Sequence, residues 1–314
     1  MAIFLFSGLL ALAAQAPAAP AAPAAPAPPG DSLRAAWWAR VAADSTDGQA
    51  WLQLGRVYLQ LAAQYHTHRS TPDSLHAHAT LDTAEQVLAR AVRLTAGTRA
   101  GDSARLLHTF SYGERAYLDW EANGQGAATA AWHKLPETLR LPPVLEELGE
   151  NLLRACPQGG ILFTATEIDT QSAWYLRFVR GLRTDLLIIP YERWRGDSVF
   201  RRHVLRELKA RSGGLRSLAE DRALCASTAF ERPPEVRPAV KWNRRPLVWV
   251  AGRERKGDRV PANDFVFAAL RLSIDQHDTW TAPAIEIYRR SVGTVSELCR
   301  PLRTFGVKAE VGCR

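Results

Sequence analysis

The spacing of apolar side chains changes near the middle of this chain, and that change constrains the fold more than any other feature. Before the midpoint apolar residues recur every three to four positions, as in Leu33, Trp37 and Val41, or Leu106, Phe110 and Tyr117. That period places them on one face of a helix. After the midpoint they come in short unbroken blocks, Ile161–Ala165, Asp185–Pro190 and Pro246–Ala251, separated by helical stretches. Blocks of that length read as strands covered on both faces. The expectation is α + α/β: a short helical array, then a three-layer α/β domain with a small, mostly parallel sheet. A chain of 314 residues is long enough for both.

The helical half holds the most specific pattern. Trp51-Leu-Gln-Leu54-Gly55-Arg-Val-Tyr58 matches the W-x2-L-G-x2-Y opening of a tetratricopeptide repeat. Trp51, Leu54, Tyr58, Leu61 and Tyr65 share a face, and Gly55 removes a side chain where a partner helix must approach closely. Ala84-Glu-Gln-Val-Leu88-Ala-Arg-Ala91 fits the second helix of such a repeat. It lies about 17 positions later than in a 34-residue repeat, so the helices are longer or the turn carries an insert, and Ala96 replaces the usual closing Pro. Ala50–Thr95 thus resembles the tetratricopeptide family. The resemblance implies a concave surface that binds a protein partner, with Trp51, Leu54 and Tyr58 as candidate contacts. A brace supporting the second domain is the competing reading. One repeat cannot bury its own apolar face, so the helices around Asp31–Ala43 and Ser103–Glu121 must stack on it.

The first sixteen residues carry an apolar run, Ile3–Ala14, and the small-x-small sequence Ala14-Gln15-Ala16. The run is too short to span a bilayer and reads as a secretory signal without its usual basic start. Pro17–Gly30 is almost wholly Ala and Pro, an extended spacer. The expected divisions are signal 1–16, linker 17–30, helical domain 31–122 and α/β domain 143–314. No later stretch reaches membrane-spanning length. The chain is read as exported and periplasmic or envelope-associated. Cys156, Cys225, Cys299 and Cys313 allow three pairings in an oxidising compartment, Cys299–Cys313 being the most local. No CxxC pair supports a zinc ribbon. The net charge of +8 points towards anionic envelope material more than nucleic acid, although an Arg-rich composition explains it equally well.

In the second half, Pro142-Pro143 opens a helix to about Ala155. Asp169 is placed to cap a helix over Thr170–Gly181. Val199–Arg211, Ser217–Thr228, Asp264–Ile274 and Pro283–Leu298 read as helices, Thr304–Lys308 as a short edge strand, and Asn123–Ala128 as a hinge. Ligands of open α/β sheets bind beyond the carboxyl ends of the strands. Those ends carry Thr166, Glu167, Asp169 and Thr170; Tyr191, Glu192, Arg193, Trp194 and Arg195; and Gly252, Arg253, Glu254 and Arg255. Carboxylates beside aromatics suit sugar hydroxyls, and arginines suit phosphate or carboxylate. Glu167, Asp169, Thr170, Arg193, Trp194 and Arg253 are therefore the candidate ligand-binding residues. Polar strand-end loops are equally a general feature of α/β proteins.

Signatures of nucleotide, serine-hydrolase and zinc-protease chemistry are missing: Gly159-Gly160 precedes its strand, and neither G-x-S-x-G nor H-E-x-x-H occurs. No catalytic residue, cofactor or metal is assigned. His66/His68 and His76/His78 form two H-x-H pairs that could clasp a metal only if extended. Ile161–Pro190 also resembles a segment in the soluble C-terminal region of bacterial membrane proteins related to protein O-mannosyltransferases. The shared features are Asp169-Thr170, Trp174-Tyr175-Leu176 and Arg183-Thr184-Asp185, with Thr166-Glu167 where that family has Gly-Asp. The family's membrane-embedded part has no counterpart, so the resemblance implies an α/β fold and an envelope setting but not transfer chemistry. The leading expectation is a non-catalytic, protein-binding or scaffolding envelope component. The alternative is a glycan- or small-molecule-binding protein, or an enzyme, using the strand-end edge.

Overall fold

The computed structural model describes residues 30–68, 71–210, 214–234, 240–255 and 257–313. The expected signal and nearly all of the Ala/Pro-rich segment lie outside the described residues. The chain divides into two compact units, Met1–Leu118 with Lys134–Arg140, and Asp119–His133 with Leu141–Arg314.

The first unit is built from helices α1 (Gly30–Ala43), α2 (Gly48–His68), α3 (Thr71–Leu94) and the first part of α4 (Arg99–Asn123). Asp47 starts α2 by accepting the Ala50 amide at 2.9 Å, and Arg40 pairs with its other oxygen. Such a cap satisfies an amide that the helix itself cannot. Val41, Ala50, Leu54 and Val87 form a core, with Trp37, Trp51 and Tyr58 packed against it. Gly55 faces Leu88 of α3, and a Cβ at Gly55 would stand 2.4 Å from a Leu88 methyl. The α3–α4 turn is equally close: a Cβ on Gly101 would lie 2.2 Å from the Thr95 carbonyl oxygen. Arg115 of α4 reaches back to α3, bonding Glu85 at 2.8 Å and Asp82 at 2.6 Å. Burial pushes the Glu85 carboxyl up despite the pull of that guanidinium. His68 ends α2, and His76 and His78 lie within α3. The His76/His78 pair is therefore helical, with side chains directed roughly 200° apart, and cannot clasp one ion.

In the second unit the expected hinge at 123–128 is a single-residue break. Gly124 adopts φ 85°, and α5 (Gln125–Trp132) begins at once. Glu207 caps that helix at the Gln125 amide, 2.9 Å, and accepts from the Trp120 indole at 3.0 Å. Trp120 packs with Trp174, Phe178 and Phe200 at centroid distances of 5.3–6.2 Å. Helix α6 (Pro143–Ala155) starts with proline at its first position, where no amide partner is needed. It buries Val144, Leu145, Leu148 and Leu152. A Cβ on Gly149 would come within 2.9 Å of the Ser172 backbone. An added methyl there collides with main chain, which cannot rotate away. At Gly55 it meets the side chain of Leu88, a methyl at 2.4 Å and the branch carbon at 2.6 Å, in a residue that is itself completely buried. Overpacking costs about 1–3 kcal/mol, which at both glycines opposes the roughly 1 kcal/mol helix preference of Ala over Gly.

The sheet has five strands, β1 (Ile161–Thr164), β2 (Leu187–Pro190), β3 (Ala223–Ser227), β4 (Asn243–Arg245) and β5 (Val248–Gly252), in the order β2-β1-β3-β5-β4. β1 pairs in parallel with β2 and β3, whereas β5 runs antiparallel to β3 and β4. The sheet is therefore mixed, not mostly parallel. β1, β2 and β3 are buried throughout. The remaining helices are α7 (Glu167–Trp174), continued by a π-helical turn at Tyr175–Val179, α8 (Tyr191–Gly196), α9 (Ser198–Glu207), α10 (Leu215–Asp221), α11 (Ala268–Asp275), α12 (Thr281–Thr294) and α13 (Cys299–Thr304). Glu147 and Asn151 of α6 fix the start of α11: Glu147 accepts the Ala269 and Leu270 amides, and Asn151 bonds both Val266 and the Tyr288 hydroxyl.

Three expectations fail here. The helix expected over Ser217–Thr228 stops at Asp221 and yields to β3. The expected edge strand at Thr304–Lys308 is instead the end of α13 and the turn after it. Asp169 is the third residue of its helix and not its cap. Disulfides join Cys156 to Cys225 and Cys299 to Cys313. With sequence separations of 69 and 14, loop closure alone is worth about 4 and 3 kcal/mol.

One buried group makes the first unit sensitive to acid. His108 of α4 is 8% exposed, and its Nδ1 has no hydrogen-bond partner among the described residues. Burial, aided by Arg93, lowers its pKa from 6.5 to about 4. The unfolded chain therefore takes up this proton first. Stability from neutral His108 is complete above pH 6.5 and is lost as pH falls towards 4, by about 3 kcal/mol in all. Denaturant titrations between pH 7 and 4 should show this loss in the wild type and little of it in His108→Leu.

Candidate functional site

The strand-end edge is organised around Asp169. β1 ends at Thr164, and α7 begins two residues later with Thr166 as its cap. Asp169 closes a reciprocal capping box: its Oδ1 accepts the Thr166 amide at 2.7 Å and the Thr166 hydroxyl at 2.8 Å. Its Oδ2 accepts the Ala165 amide at 3.0 Å. The Ser227 hydroxyl, at the end of β3, also bonds the carboxyl. Asp169 is completely buried, and burial raises its pKa against these donors. Thr170 is buried beside it, with its hydroxyl 2.7 Å from that of Thr164 and 2.7 Å from the Thr166 carbonyl oxygen. Glu167 is half-buried and accepts from Gln171, one helical turn on.

The end of β2 supplies aromatics, and they pack inward. Trp194 is 4% exposed and meets Phe163 of β1 edge-on at 6.1 Å. Tyr191 lies between Phe163 and Phe230, at 5.7 and 5.6 Å. Arg193 is half-buried, while Glu192 and Arg195 form an exposed pair at 3.1 Å. Trp194 is thus a core residue and offers no open platform for a sugar ring.

Arg253 does not belong to this edge. Because β5 is antiparallel, Gly252 pairs with Ala223 at the start of β3, and Val248 pairs with Ser227 at its end. Gly252–Arg255 therefore lie at the opposite end of the sheet. There the Arg253 amide bonds the carbonyl oxygens of Ala219, within α10, and Arg222, just after it, and Glu254 pairs with Arg245 at 2.9 Å. A shallow cleft at that end is lined by Pro157, Arg245, Val250, Glu254, Arg259 and Phe265, among others. The residues that replace Arg253 near Asp169 are Ser227, Thr228 and Leu247. Leu247 occupies the left-handed region at φ 64° in the two-residue β4–β5 turn. Its amide donates to Ser291 Oγ at 2.8 Å, and its carbonyl accepts the Thr228 amide at 2.9 Å. These bonds hold a bulky residue where a hairpin ordinarily needs Gly or Asn.

The other shared motifs are structural too. Trp174 donates its indole N–H to the Ile188 carbonyl in β2 at 3.1 Å. Leu176 is the contact facing Gly149. Arg183 bonds the carbonyls of Leu153, Cys156 and Pro157 and pairs with Asp185 at 2.9 Å. Asp185 also accepts the Gly159 amide at 2.8 Å. The Arg183 guanidinium, reinforced by that amide, draws the Asp185 carboxyl down to about 2.

Trp51, Leu54 and Tyr58 fare similarly. Leu54 is fully buried. Trp51 donates to the Ser45 carbonyl at 3.0 Å, and Tyr58 accepts from the Trp38 indole at 2.7 Å. They hold α1 on α2. No family model matches the chain, and no curated protein or solved structure is significantly similar to it. Both family resemblances therefore rest on the residues that carry them.

Asp169→Ala removes a fully buried carboxyl and the acceptor for the part-buried Ala165 and Thr166 donors, and should cost about 3 kcal/mol, a fall in Tm of roughly 6–12 °C. Glu167→Gln, which keeps its neighbours, should shift Tm by less than roughly 2 °C. Thermal melts of both variants with the wild type check this contrast.

Proposed function

We propose that this chain is an exported, non-catalytic component of the cell envelope. In this reading its tetratricopeptide-type helical unit binds a protein partner, and its α/β unit serves as a disulfide-bonded scaffold. The observation that carries the reading is the state of Asp169 and Trp194. The side chains best suited to chemistry or sugar binding are spent on the fold's own contacts, and the acids still accessible at the strand-end edge, Glu167 and Glu192, are engaged by Gln171 and Arg195. The close Gly55–Leu88 approach supports a repeat-type helix hairpin. The leader-like N-terminus and the two disulfides support export to an oxidising compartment. Strands buried on both faces support a three-layer second unit.

The partner surface needs adjusting. Leu54 is inaccessible, and Trp51 and Tyr58 are engaged by α1. The polar row Gln53, Arg56 and Gln60 of α2 is half-buried and is the better candidate. Cross-linking in envelope extract, followed by capture of the oxidised chain, tests it. A specific partner should be recovered and lost at least about tenfold, roughly 1.4 kcal/mol, in Gln53→Arg/Gln60→Arg with an unchanged melting curve. Recovery that ignores this variant but fails with Arg193→Ala would favour a ligand or partner at the strand-end edge instead.

A further inference from the structure

We propose that Arg177, in the π-helical turn that follows α7, receives an oxyanion: its two terminal nitrogens grip the carboxylate or phosphate group of a small ligand end-on. The site lies within the α/β unit, so it stands or falls separately from the partner surface on α2.

Arg177 sits in the middle of the turn Tyr175–Val179. Wide turns of this kind are rare and are frequent at functional positions. Tyr175, Leu176 and Phe178 are buried, whereas Arg177 is half-buried. Its Nε is completely enclosed and has no hydrogen-bond partner among the described residues, while its two terminal nitrogens are not enclosed. The guanidinium lies over the Phe178 ring, 5.2 Å from its centroid. That ring is held edge-on by Trp120 at 6.2 Å and by Trp174 at 6.5 Å. The fork is therefore anchored on its inner side and open on its outer side.

A desolvated arginine ordinarily has a carboxylate to answer it. Two carboxylates, Asp185 and Glu207, act on Arg177 through space without bonding it, and both are committed elsewhere. Asp185 accepts from Arg183 at 2.9 Å and from the Gly159 amide at 2.8 Å. Glu207 accepts from the Trp120 indole at 3.0 Å and from the Gln125 amide at 2.9 Å. Arg180, just past the same turn, and Arg206, beside Glu207 on α9, are exposed and add positive charge. Burial lowers the Arg177 pKa against the pull of the two carboxylates, yet a guanidinium stays charged. The fold thus strips water from a permanent cation and supplies no bonded counter-charge. A ligand oxyanion supplies one, and two parallel N–H···O bonds match the planar fork. With Nε sealed, approach from its side is barred, so the ligand meets Nη1 and Nη2.

Calorimetric titration of the wild type with inorganic phosphate, and separately with acetate, at constant ionic strength tests this. At least one ion should bind saturably, with Kd on the order of 1 mM, the scale open to so small a ligand. The two arms show which oxyanion the site prefers. In Arg177→Gln the Kd should rise at least about tenfold, or roughly 1.4 kcal/mol. Arg202→Gln, which removes an exposed charge of α9, should leave it unchanged. A measurement on the wild type alone guards against misfolding of the variant. In NMR spectra of nitrogen-labelled protein, the bound ion should shift the Arg177 Nε–H signal with the same Kd. The Arg183 signal, already closed by Asp185, should stay in place. Absence of saturable binding, equal affinity in Arg177→Gln, or an Arg177 signal that ignores the ion would overturn the proposal. Arg177 would then be an arginine that only packs its stem against the turn.

Discussion

A buried carboxylate ties together the end of the sheet from which the second unit is built. Asp169 accepts from Ala165 and Thr166 at the β1–α7 junction and from Ser227 at the end of β3. With these donors satisfied, the parallel β1–β3 pair ends at a fixed register and α7 leaves at a fixed angle. Trp174 then reaches β2, and Ser172 meets Gly149 of α6. Removing such a carboxylate would leave several part-buried donors without their acceptor, and leaving a donor unsatisfied costs more than the net gain from an ordinary hydrogen bond. At the other end of β1, Arg183 and Asp185 hold the chain leaving α6 against the start of β2. The Cys156–Cys225 bridge fastens the same α6 terminus to the middle of β3.

This arrangement bears on function through what it consumes. A carboxylate at a strand end is the position from which α/β proteins commonly address ligands. Here that carboxylate is completely enclosed, and the neighbouring tryptophan packs on β1. The exposed arginines Arg253 and Arg255 lie at the opposite end of the sheet, three strands' worth of topology away from the role their sequence position suggests.

How much of this was legible depended on local signals. The Trp51–Tyr58 pattern located α2 and its close approach to α3, because Gly55 has one clear steric purpose. Pro143 marked the start of α6, and the unbroken blocks beginning at 161, 185 and 246 marked three strands. β3 was missed because Ala-Leu-Cys-Ala-Ser lacks β-branched residues and follows a helix without a Gly or Pro stop. That omission also hid the direction of β5. The β4–β5 hairpin turns on Pro246-Leu247, where Leu247 is held at positive φ by Ser291 and Thr228, contacts distant in sequence. Without that turn, β5 reads as a third parallel strand and Arg253 falls at the wrong end. Asp169 was recognised as a helix-start residue, but its Ser227 contact required β3. Gly124 was read as part of a six-residue hinge because the Glu207 cap that lets α5 begin immediately lies 82 residues away.

Amide hydrogen exchange at Ala165 and Thr166 tests most directly whether Asp169 is a sealed structural anchor. Both amides sit just past the last residue of β1, where an open ligand-binding loop would exchange quickly. If the carboxylate holds them in a closed cap, they will exchange as slowly as Leu162 in the strand interior, through global unfolding alone. Exchange at Ala165 and Thr166 at the rate of an exposed loop, with Leu162 still protected, would contradict this account and return the strand-end edge to consideration as a working site.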